Sequence, residues 1–473
     1  MGTEKRAGFF RQRLLGLQRR WQGIAGSGYG VDMARFHPAL PDQDLPRLLQ
    51  CMGRALEAPG GEISARAQAA ALGRAYLDLD TVGRGRFLKL LAEEFDLEEE
   101  DVVRAAEELR RAKPGGEQRD ARRALRETLV SPRTRILTRF NALPQGVKFL
   151  VDLRADLLPL ARKDPSLAAL DDDLKGLLTT WFDVDFLQLR RISWNTASGA
   201  LLEKFMAYEA VHPVESWEDL KNRLDFDRRY FAFFHPRMPE EPLIFLEVAL
   251  VKELSGKIQE LLDPGAPAQD PTEANTAIFY SISNAQPGLA GVSFGGFLIK
   301  RVVTELVREF PGLKTFSTLS PLPGFRGWLL DALSKSEVFV HPRGEKRLRG
   351  FLDGEDPAGW LAGVVDGRLW LEDPDVEKVV RPILMGLAAQ YLIGEKRLGG
   401  GARDPVAHFH LSNGARIERL NWAGDLSERG LDQSAGIMVN YRYDQKNIEA
   451  NHESYRGTGE VVCTAQVRGL LKD

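Results

Sequence analysis

The sequence is poor in cysteine, lacks long apolar runs and carries little net charge. Its 473 residues include two cysteines, Cys51 and Cys463, which stand alone without the spacing of a metal site. Two isolated thiols indicate a reducing compartment and exclude a disulfide framework. No apolar run reaches the roughly 20 residues that span a bilayer, and a net charge of −3 favours no nucleic-acid partner. We therefore expect a cytoplasmic protein that has neither a membrane nor a nucleic acid as partner.

The N-terminal stretch "MGTEKRAGFFRQRLLGLQRRW" is rich in arginine. Transit peptides of organelles share that feature, but they are also rich in serine, and this stretch contains none. We interpret the stretch as a basic surface helix, in keeping with the expected cytoplasmic location.

The composition and hydrophobic periodicity of the sequence change once along the chain. Residues 1–180 are rich in Ala, Leu, Arg and Glu, and stretches such as "GRFLKLLAEEFDLEEEDVVRAAEELRRA" have helical spacing. Strand-like runs, of which "YFAFFH" and "LIFLEVALV" are the first clear pair, begin only after residue 184. The sequence therefore predicts an α+β protein of two domains. Residues 1–180 form an all-α helical bundle, and residues 181–473 form a mostly antiparallel central sheet flanked by helices.

A glycine-rich loop joins a predicted strand to a predicted helix in "TAIFYSISNAQPGLAGVSFGGFLIKRVVTELVREF", residues 276–310. The stretch begins with an apolar run rich in Ile, Phe and Tyr, as in a buried strand. After Gly296 its apolar residues recur at helical spacing. Glycines at positions 291, 295 and 296 let a ligand approach the backbone, and the free amides at a helix start attract an anion. This pattern favours a bound phosphate.

The loop does not match the common nucleotide-binding motifs. It lacks the G-K-[ST] ending of a P-loop and the G-x-G-x-x-G order of a dinucleotide-binding loop. From the residues alone, two interpretations stay open. The loop holds a pyrophosphate through backbone amides, or it is a glycine-bearing turn between packed elements.

Two histidines alternate with apolar residues in "AHFHLSNGARIERLNW". This stretch predicts a hairpin in which "AHFHL" and "ARIERLNW" are strands joined at "SNG", so that His408 and His410 face the same side. Such a pair could bind a metal, but the glutamate expected about four residues on is replaced by Gly414 and Ala415. We predict no metal site and interpret His408 as a buried, hydrogen-bonded histidine. The later stretches "AGIMVNYRY" and "EVVCTAQV" also predict strands.

Four stretches, in this order along the chain, carry a resemblance to a known family: "FYSISNAQPGLAGVSFGGFLIKRVV", "FSTLSPLPGF", "FHLSNGARIERLNW" and "GIMVNYRY". A glycine loop between a central strand and a helix resembles the GNAT acyltransferase superfamily. The four stretches together resemble the malonyl-CoA decarboxylase family, over roughly residues 190–465. The resemblance implies a GNAT-like catalytic domain, malonyl-CoA and acetyl-CoA as partners, and homo-oligomers in which the helical domain would form the interface.

The resemblance also implies the roles of individual residues. Ser320 and His410 stand at the family's two catalytic positions, and Tyr443 matches a tyrosine near its active site. Losing CO2 from malonyl-CoA leaves an enolate, which needs a donor at the oxygen and a proton for the carbon. We assign the donor at the enolate oxygen to Ser320 and the proton donor to His410. The histidine would act as an imidazolium, since its reference pKa is about 6.5. The thioester is itself the electron sink, so no metal or organic cofactor is expected, and coenzyme A enters as part of the substrate.

By the same resemblance, the glycine loop holds the phosphates of the acyl-CoA. The residues assigned to this role are Ala290, Gly291, Val292, Ser293, Phe294, Gly295 and Gly296. Ser293 is a departure, because relatives carry a glutamate within this loop that could orient the catalytic serine. Nothing in the sequence identifies a replacement for that carboxylate.

Two other classes of function stay open from the sequence. A GNAT-type acyltransferase would pass an acyl group from coenzyme A to an amine, and a non-catalytic protein would only bind acyl-CoA. A decarboxylase releases CO2 from malonyl-CoA alone, whereas a transferase needs an acceptor.

Overall fold

The structure is a computed structural model, and it divides the chain into two units. The residues it describes are 17–18, 20–25, 35–57, 61–182, 186–292, 298–335, 348, 350–352, 354 and 356–472. One unit comprises Met1–Gln188, Phe234–Leu243 and Asn284–Phe294, and the other comprises Leu189–Phe233, Ile244–Ser283 and Gly295–Asp473. Most of the basic N-terminal stretch lies outside the described residues, and the domain boundary after residue 180 stays a prediction.

The first 182 residues are helical wherever the structure describes their regular elements, as predicted. The helices with both ends described are α1 (Leu45–Glu57), α2 (Gly61–Asp78), α3 (Thr81–Glu94), α4 (Glu99–Arg111), α5 (Gly116–Thr128), α6 (Pro132–Phe140), α7 (Gly146–Ala161) and α8 (Ala168–Trp181). Local signals set several starts. Asp80 accepts a hydrogen bond from the Gly83 amide at the start of α3, and Ser131 caps α6 ahead of Pro132.

Aromatic rings fill the core of this helical part. Trp21 is fully buried, and its ring packs edge-on against Phe149 with 4.9 Å between centroids. Phe140 and Tyr76 contact the same phenylalanine at 4.8 and 5.7 Å. Such pairs add about 0.5–1.5 kcal/mol each beyond the area they bury. The helical part therefore has a hydrophobic core of its own.

Among the described residues, eight strands form one sheet. They are β1 (Gln188–Ile192), β2 (Arg228–His235), β3 (Met238–Val251), β4 (Thr276–Asn284), β5 (Thr315–Thr318), β6 (Ser320–Pro321), β7 (Arg416–Asn421) and β8 (Met438–Arg442). Their order is β1-β2-β3-β4-β5-β8-β6, and β7 also pairs with β8. The pairs of β8 with β5, β6 and β7 are antiparallel. With the helices around it, this sheet confirms the predicted α+β fold.

The helices that follow β1 complete the second part of the chain. They are α9 (Gly199–Tyr208), α10 (Trp217–Arg223), α11 (Ile258–Leu262), α12 (Leu298–Glu309), α13 (Phe325–Ser334), α14 (Pro357–Gly367), α15 (Pro374–Ile393), α16 (Pro405–Ser412), α17 (Glu428–Ser434), α18 (Ile448–Thr458) and α19 (Ala465–Gly469). No described helix is long and apolar enough to cross a membrane.

The strand–loop–helix unit of the sequence is present as β4, α12 and β5. β4 and β5 pair in parallel, with Thr276 opposite Thr315 and Phe279 opposite Thr318. A parallel pair needs a crossover connection, and α12 supplies it. The apolar face of α12 is buried through Ile299, Val302 and Leu306, among others. The predicted crossover is therefore confirmed.

Two strand predictions are wrong. "AHFHL" lies in helix α16, because Asp404 caps its first turn and Pro405 occupies the first helical position. Five alternating residues were too few to outweigh this start signal. "EVVCTAQV" forms no regular strand; it makes one bridge, at Cys463, and then enters α19 behind the cap of Thr464. Strands were correctly predicted at β7 and β8.

Candidate active site

Ser320 lies in a two-residue strand where the central sheet ends. β5 stops at Thr318, and after one intervening residue Ser320 pairs with Val439 of β8 and Pro321 with Met438. The proline nitrogen has no hydrogen to donate, so the ladder ends there. The serine is 7% exposed; its Oγ donates to Thr318 Oγ1 at 2.9 Å and lies 3.3 Å from His410 Nε2. The structure thus brings together the two residues predicted to be catalytic.

The helix in which His410 lies separates the two histidines. Each residue of a helix is rotated by about 100° from the one before it, so the side chains of His408 and His410 point about 200° apart. His410 is buried against Ser320, while His408 is half-buried and lies 2.8 Å from the Tyr455 hydroxyl. The prediction that both rings face the same side is wrong. Among the described residues, no group of three or more His, Cys, Asp or Glu side chains could hold a metal ion.

The surroundings of His410 keep its ring neutral. It is 3% exposed and stacks on the Tyr441 ring, with 4.7 Å between centroids and 24° between planes. Burial removes the water that would stabilise the charged ring, and this desolvation lowers the pKa of the His410 imidazole from its ordinary value of 6.5 to about 3. The imidazolium expected from the reference pKa is therefore wrong for the free protein.

Tyr443 fixes the tautomer of that neutral ring. Its hydroxyl lies 2.7 Å from His410 Nδ1, and burial raises its pKa well above 10, so it keeps its proton. Among the described residues this is the one hydrogen bond of the hydroxyl, and a buried donor without an acceptor is costly. The hydroxyl therefore donates to Nδ1, which leaves the ring hydrogen on Nε2, directed at the Ser320 oxygen.

Residues that the sequence did not single out support this chain of hydrogen bonds. Thr318 Oγ1, which accepts from Ser320, also accepts from the Tyr441 amide at 3.1 Å. Asn440 Nδ2 donates to the Thr318 carbonyl at 2.7 Å. The sequence could have indicated Tyr441, because residues 441 and 443 are two positions apart in a predicted strand and so lie on the same face. It could not have indicated Thr318 and Asn440, since their role depends on strand pairing.

The glycine loop is described as far as Val292. Ser293, Phe294, Gly295 and Gly296, which were predicted to bind phosphates, lie outside the described residues. The loop leaves β4 through a short 3-10 turn over Pro287–Leu289. A Cβ at Gly288 would lie 1.8 Å from the Val151 carbonyl oxygen, so only glycine fits against α7. Gly291 has a φ of +74°, which also favours glycine.

Two basic residues of the first unit approach this loop. Arg154, which is fully buried, donates from Nη1 to the carbonyls of Gly288 and Ala290, both at 2.8 Å, and is paired with Asp171 at 2.7 Å. The Lys175 side chain lies beside Gly291, where a Cβ would be 3.5 Å from Cε and 3.6 Å from Nζ. Sequence reasoning missed both, because helical residues more than 100 positions away carry no local sign of the loop.

Comparison with known proteins decides the family. The model of the malonyl-CoA decarboxylase C-terminal domain matches residues 185–473, and that of the N-terminal domain matches residues 95–182. The chain belongs to the malonyl-CoA decarboxylase family.

Relatives within the malonyl-CoA decarboxylase family cover most of the chain. A mitochondrial malonyl-CoA decarboxylase of Anser anser anser is 40% identical over 356 residues, which are 72% of this chain and 70% of that protein. The crystal structure of malonyl-CoA decarboxylase from Rhodopseudomonas palustris is 39% identical and covers 90% of this chain and 99% of that one, with a TM-score of 0.81. The one from Agrobacterium vitis is 38% identical, with coverage of 90% and 100% and the same TM-score.

Proposed function

We propose that this protein is a malonyl-CoA decarboxylase, which converts malonyl-CoA to acetyl-CoA and CO2. The observation that carries the proposal is the buried hydrogen-bonded chain of Tyr443, His410 and Ser320 in a member of this family. These hydrogen-bonded residues place a hydrogen-bond donor for the enolate oxygen beside a proton donor for the enolate carbon. Decarboxylation of a thioester requires both groups. A transferase would in addition need a bound acceptor and a base to deprotonate it.

Ser320 has the role of stabilising the enolate oxygen. When CO2 leaves, the electron pair of the broken C–C bond moves onto the thioester carbonyl, and negative charge develops on its oxygen. The Ser320 hydroxyl, which donates to Thr318 in the free protein, turns to that oxygen. Because the site is buried, a hydrogen bond there is stronger than it would be in water.

His410 has the role of protonating the enolate carbon. The neutral ring carries its hydrogen on Nε2, beside the serine, and a thioester enolate is a stronger base than the imidazolate that remains when this hydrogen leaves as a proton. The proton moves to the α-carbon and forms the methyl group of acetyl-CoA, after which the ring regains a proton from solvent. Tyr443 acts as a positioning residue, since it holds Nδ1 and so keeps the hydrogen on Nε2.

The phosphates of the acyl-CoA are proposed to bind at the loop of residues 290–296. Backbone amides of a glycine-rich loop before a helix favour an anion. The Lys175 ammonium beside Gly291 adds a positive charge, and it forms no ion pair among the described residues. Arg154 fixes the carbonyls of the loop and is a positioning residue.

The remaining predictions are part of the proposal. The reaction proceeds without a metal or organic cofactor, the chain assembles as a homo-oligomer through its helical domain, and the protein is cytoplasmic. Treatment with EDTA should leave activity unchanged, and light scattering should give a mass above that of one chain. Cell fractionation that placed the protein in an organelle would overturn the cytoplasmic location.

One assay separates the three functions. Purified protein is incubated with malonyl-CoA and no acceptor, and acetyl-CoA and CO2 are measured over time. Stoichiometric release of both supports the decarboxylase. Turnover that appears only after an amine is added would identify an acyltransferase, and acyl-CoA binding without any turnover would identify a binding protein.

A further inference from the structure

A cleft of about 450 Å³ lies on the side of helix α16 away from Ser320. One wall is the loop that follows α15, with Lys396 and Arg397, and the other is the end of α18, with Arg456. His408 of α16 forms part of its floor. All these residues belong to the second unit, and none of the described lining residues is acidic.

The glycines of this loop are required by its shape. Gly399, Gly400 and Gly401 have φ values of +88°, +89° and +79°, which other residues rarely adopt. A Cβ at Gly401 would lie 2.9 Å from both His408 Nδ1 and the Tyr455 hydroxyl. The Arg397 amide donates to the Gly401 carbonyl at 3.2 Å, which closes the loop on itself. The cleft is therefore formed by a defined turn held against α16 and α18.

Its charge is positive and uncompensated. Among the described residues, neither the Arg397 nor the Arg456 guanidinium is ion-paired, and the Lys396 ammonium donates to the Gly459 carbonyl at 3.2 Å without a carboxylate. The two arginines act on the histidine between them. Burial first, and then the charges of Arg397 and Arg456, lower the pKa of His408. Three cations that face one cleft repel each other unless an anion is bound.

We propose that this cleft binds a phosphate group, held by Arg397, Arg456 and Lys396. Guanidinium groups suit phosphate because their N–H donors match its oxygens in pairs. The Tyr455 hydroxyl is engaged with the Ala402 amide at 2.7 Å and with His408, so it shapes the floor. The volume lies within the usual range of small-ligand sites.

The phosphate group can come from two sources. One is the 3′-phosphate at the nucleotide end of the acyl-CoA, and this source rests on the proposed function. The other is free inorganic phosphate, which would act as an effector through α16, whose opposite side carries His410. Both sources require the same two arginines, so one set of variants tests the site and a choice of probes tests the source.

The experiment measures binding by calorimetry at low ionic strength with the full chain. The probes are coenzyme A, 3′-dephospho-coenzyme A and inorganic phosphate. The double variant Arg397→Gln/Arg456→Gln is compared with the parent and with Arg381→Gln, which changes an exposed arginine of α15 outside the cleft. Circular dichroism verifies that each variant is folded, and single variants repeat the test if the double variant is not.

For the coenzyme A source, the parent should bind coenzyme A at least about tenfold more tightly than the dephospho form, and the double variant should lose this preference. For the free-phosphate source, the parent should bind inorganic phosphate and the double variant should bind it at least about tenfold more weakly, with no preference between the two coenzymes. Arg381→Gln should match the parent throughout. The proposal is overturned if the double variant binds all three probes as the parent does.

This outcome is separate from the fate of the proposed function. If the parent decarboxylates malonyl-CoA and the double variant binds all probes as the parent does, the proposed function holds and the phosphate site in the cleft is excluded. If the parent turns over no malonyl-CoA but binds phosphate through the two arginines, the reverse holds.

Discussion

His408 and His410 are the same kind of side chain two residues apart on one short helix, yet the structure places them in opposite chemical settings. His410 faces inward, stacked on Tyr441 and hydrogen-bonded toward Ser320 and Tyr443. His408 faces outward, against the Tyr455 hydroxyl and a cleft lined by basic residues. Both rings have a lowered pKa, but for His410 the cause is burial alone, and for His408 positive charges add to it.

The difference shows that the residue type does not determine the role. An imidazole becomes a directed proton donor when its second nitrogen is held by a partner that fixes the tautomer, and His410 has such a partner pointing it at a serine. The nitrogen of His408 is held too, but its ring lies on the other side of the helix from Ser320. We expect variants of the two residues to differ accordingly.

The largest effect should come from His410, with His408 as its matched comparison. His410→Asn should lower kcat by roughly 10²–10⁴-fold, the usual range for general acid catalysis. Its affinity for acetyl-CoA, measured by calorimetry, should stay near that of the parent. His408→Asn should change kcat far less, because it removes a contact on the outer side. Loss of turnover in His408→Asn together with normal turnover in His410→Asn would reverse the assignment.

Removing the inward hydroxyl should have the next largest effect. Ser320→Ala should lower kcat on the order of 10²–10³-fold, as when one donor to a developing oxyanion is lost. Ser412→Ala is the control, because Ser412 ends helix α16 and its hydroxyl donates to the Phe409 carbonyl at 3.0 Å, away from the Ser320–His410 contact. Steady-state kinetics with malonyl-CoA decide the point, and equal effects in the two variants would exclude Ser320 from the mechanism.

The two tyrosines near His410 form a matched pair. Tyr443→Phe should lower kcat by about 10–10²-fold with little change in KM, because the ring then loses the partner that fixes its tautomer. Tyr441→Phe should leave kcat nearly unchanged, since that hydroxyl is buried and has no hydrogen-bond partner among the described residues. Thermal unfolding should show Tyr441→Phe as stable as the parent or more so. Equal losses of kcat would contradict the positioning role.

A charge near the glycine loop should affect binding and not the chemical step. Lys175→Gln should raise the KM for malonyl-CoA by about 5–10-fold at low salt and leave kcat unchanged, as expected for one exposed charge near a phosphate. The control is Lys163→Gln, an exposed lysine that follows α7. If KM stays the same in both variants, Lys175 does not contact the substrate.

The smallest expected effect is the pH dependence that His410 contributes to activity. With its pKa at about 3 in the free protein, kcat/KM should stay flat from pH 6 to 8, because kcat/KM reports groups of the free enzyme. A donor required as an imidazolium would instead make kcat/KM fall about tenfold for each pH unit above its pKa.

The same shift affects stability at acid pH. The folded pKa of about 3 is below the unfolded value near 6.5, so the unfolded chain binds the extra proton between these values. The free energy of unfolding therefore falls as pH drops through this window. The free energy of unfolding, measured with urea at pH 7 and at pH 5, should decrease less between these two values for His410→Gln than for the parent.

Much of the fold could be predicted, because the signals are local. The helical first part, the crossover β4–α12–β5 and the strands β7 and β8 follow from hydrophobic periodicity within single elements. "AHFHL" was misassigned because alternation over five residues is a weak signal, whereas the cap by Asp404 with Pro405 at the first position is a strong one.

The sequence by itself predicted the helical first part, the crossover β4–α12–β5 and the strands β7 and β8. Its resemblance to a family also assigned Ser320 and His410 to one site. Only the tertiary structure decided which side of α16 each histidine occupies, and that burial removes the charge of His410. It alone also revealed that Tyr443 holds the ring and that Lys175 lies beside Gly291. Periodicity is a property of neighbouring residues, whereas desolvation and hydrogen bonds join residues that the chain keeps far apart and only folding brings within reach.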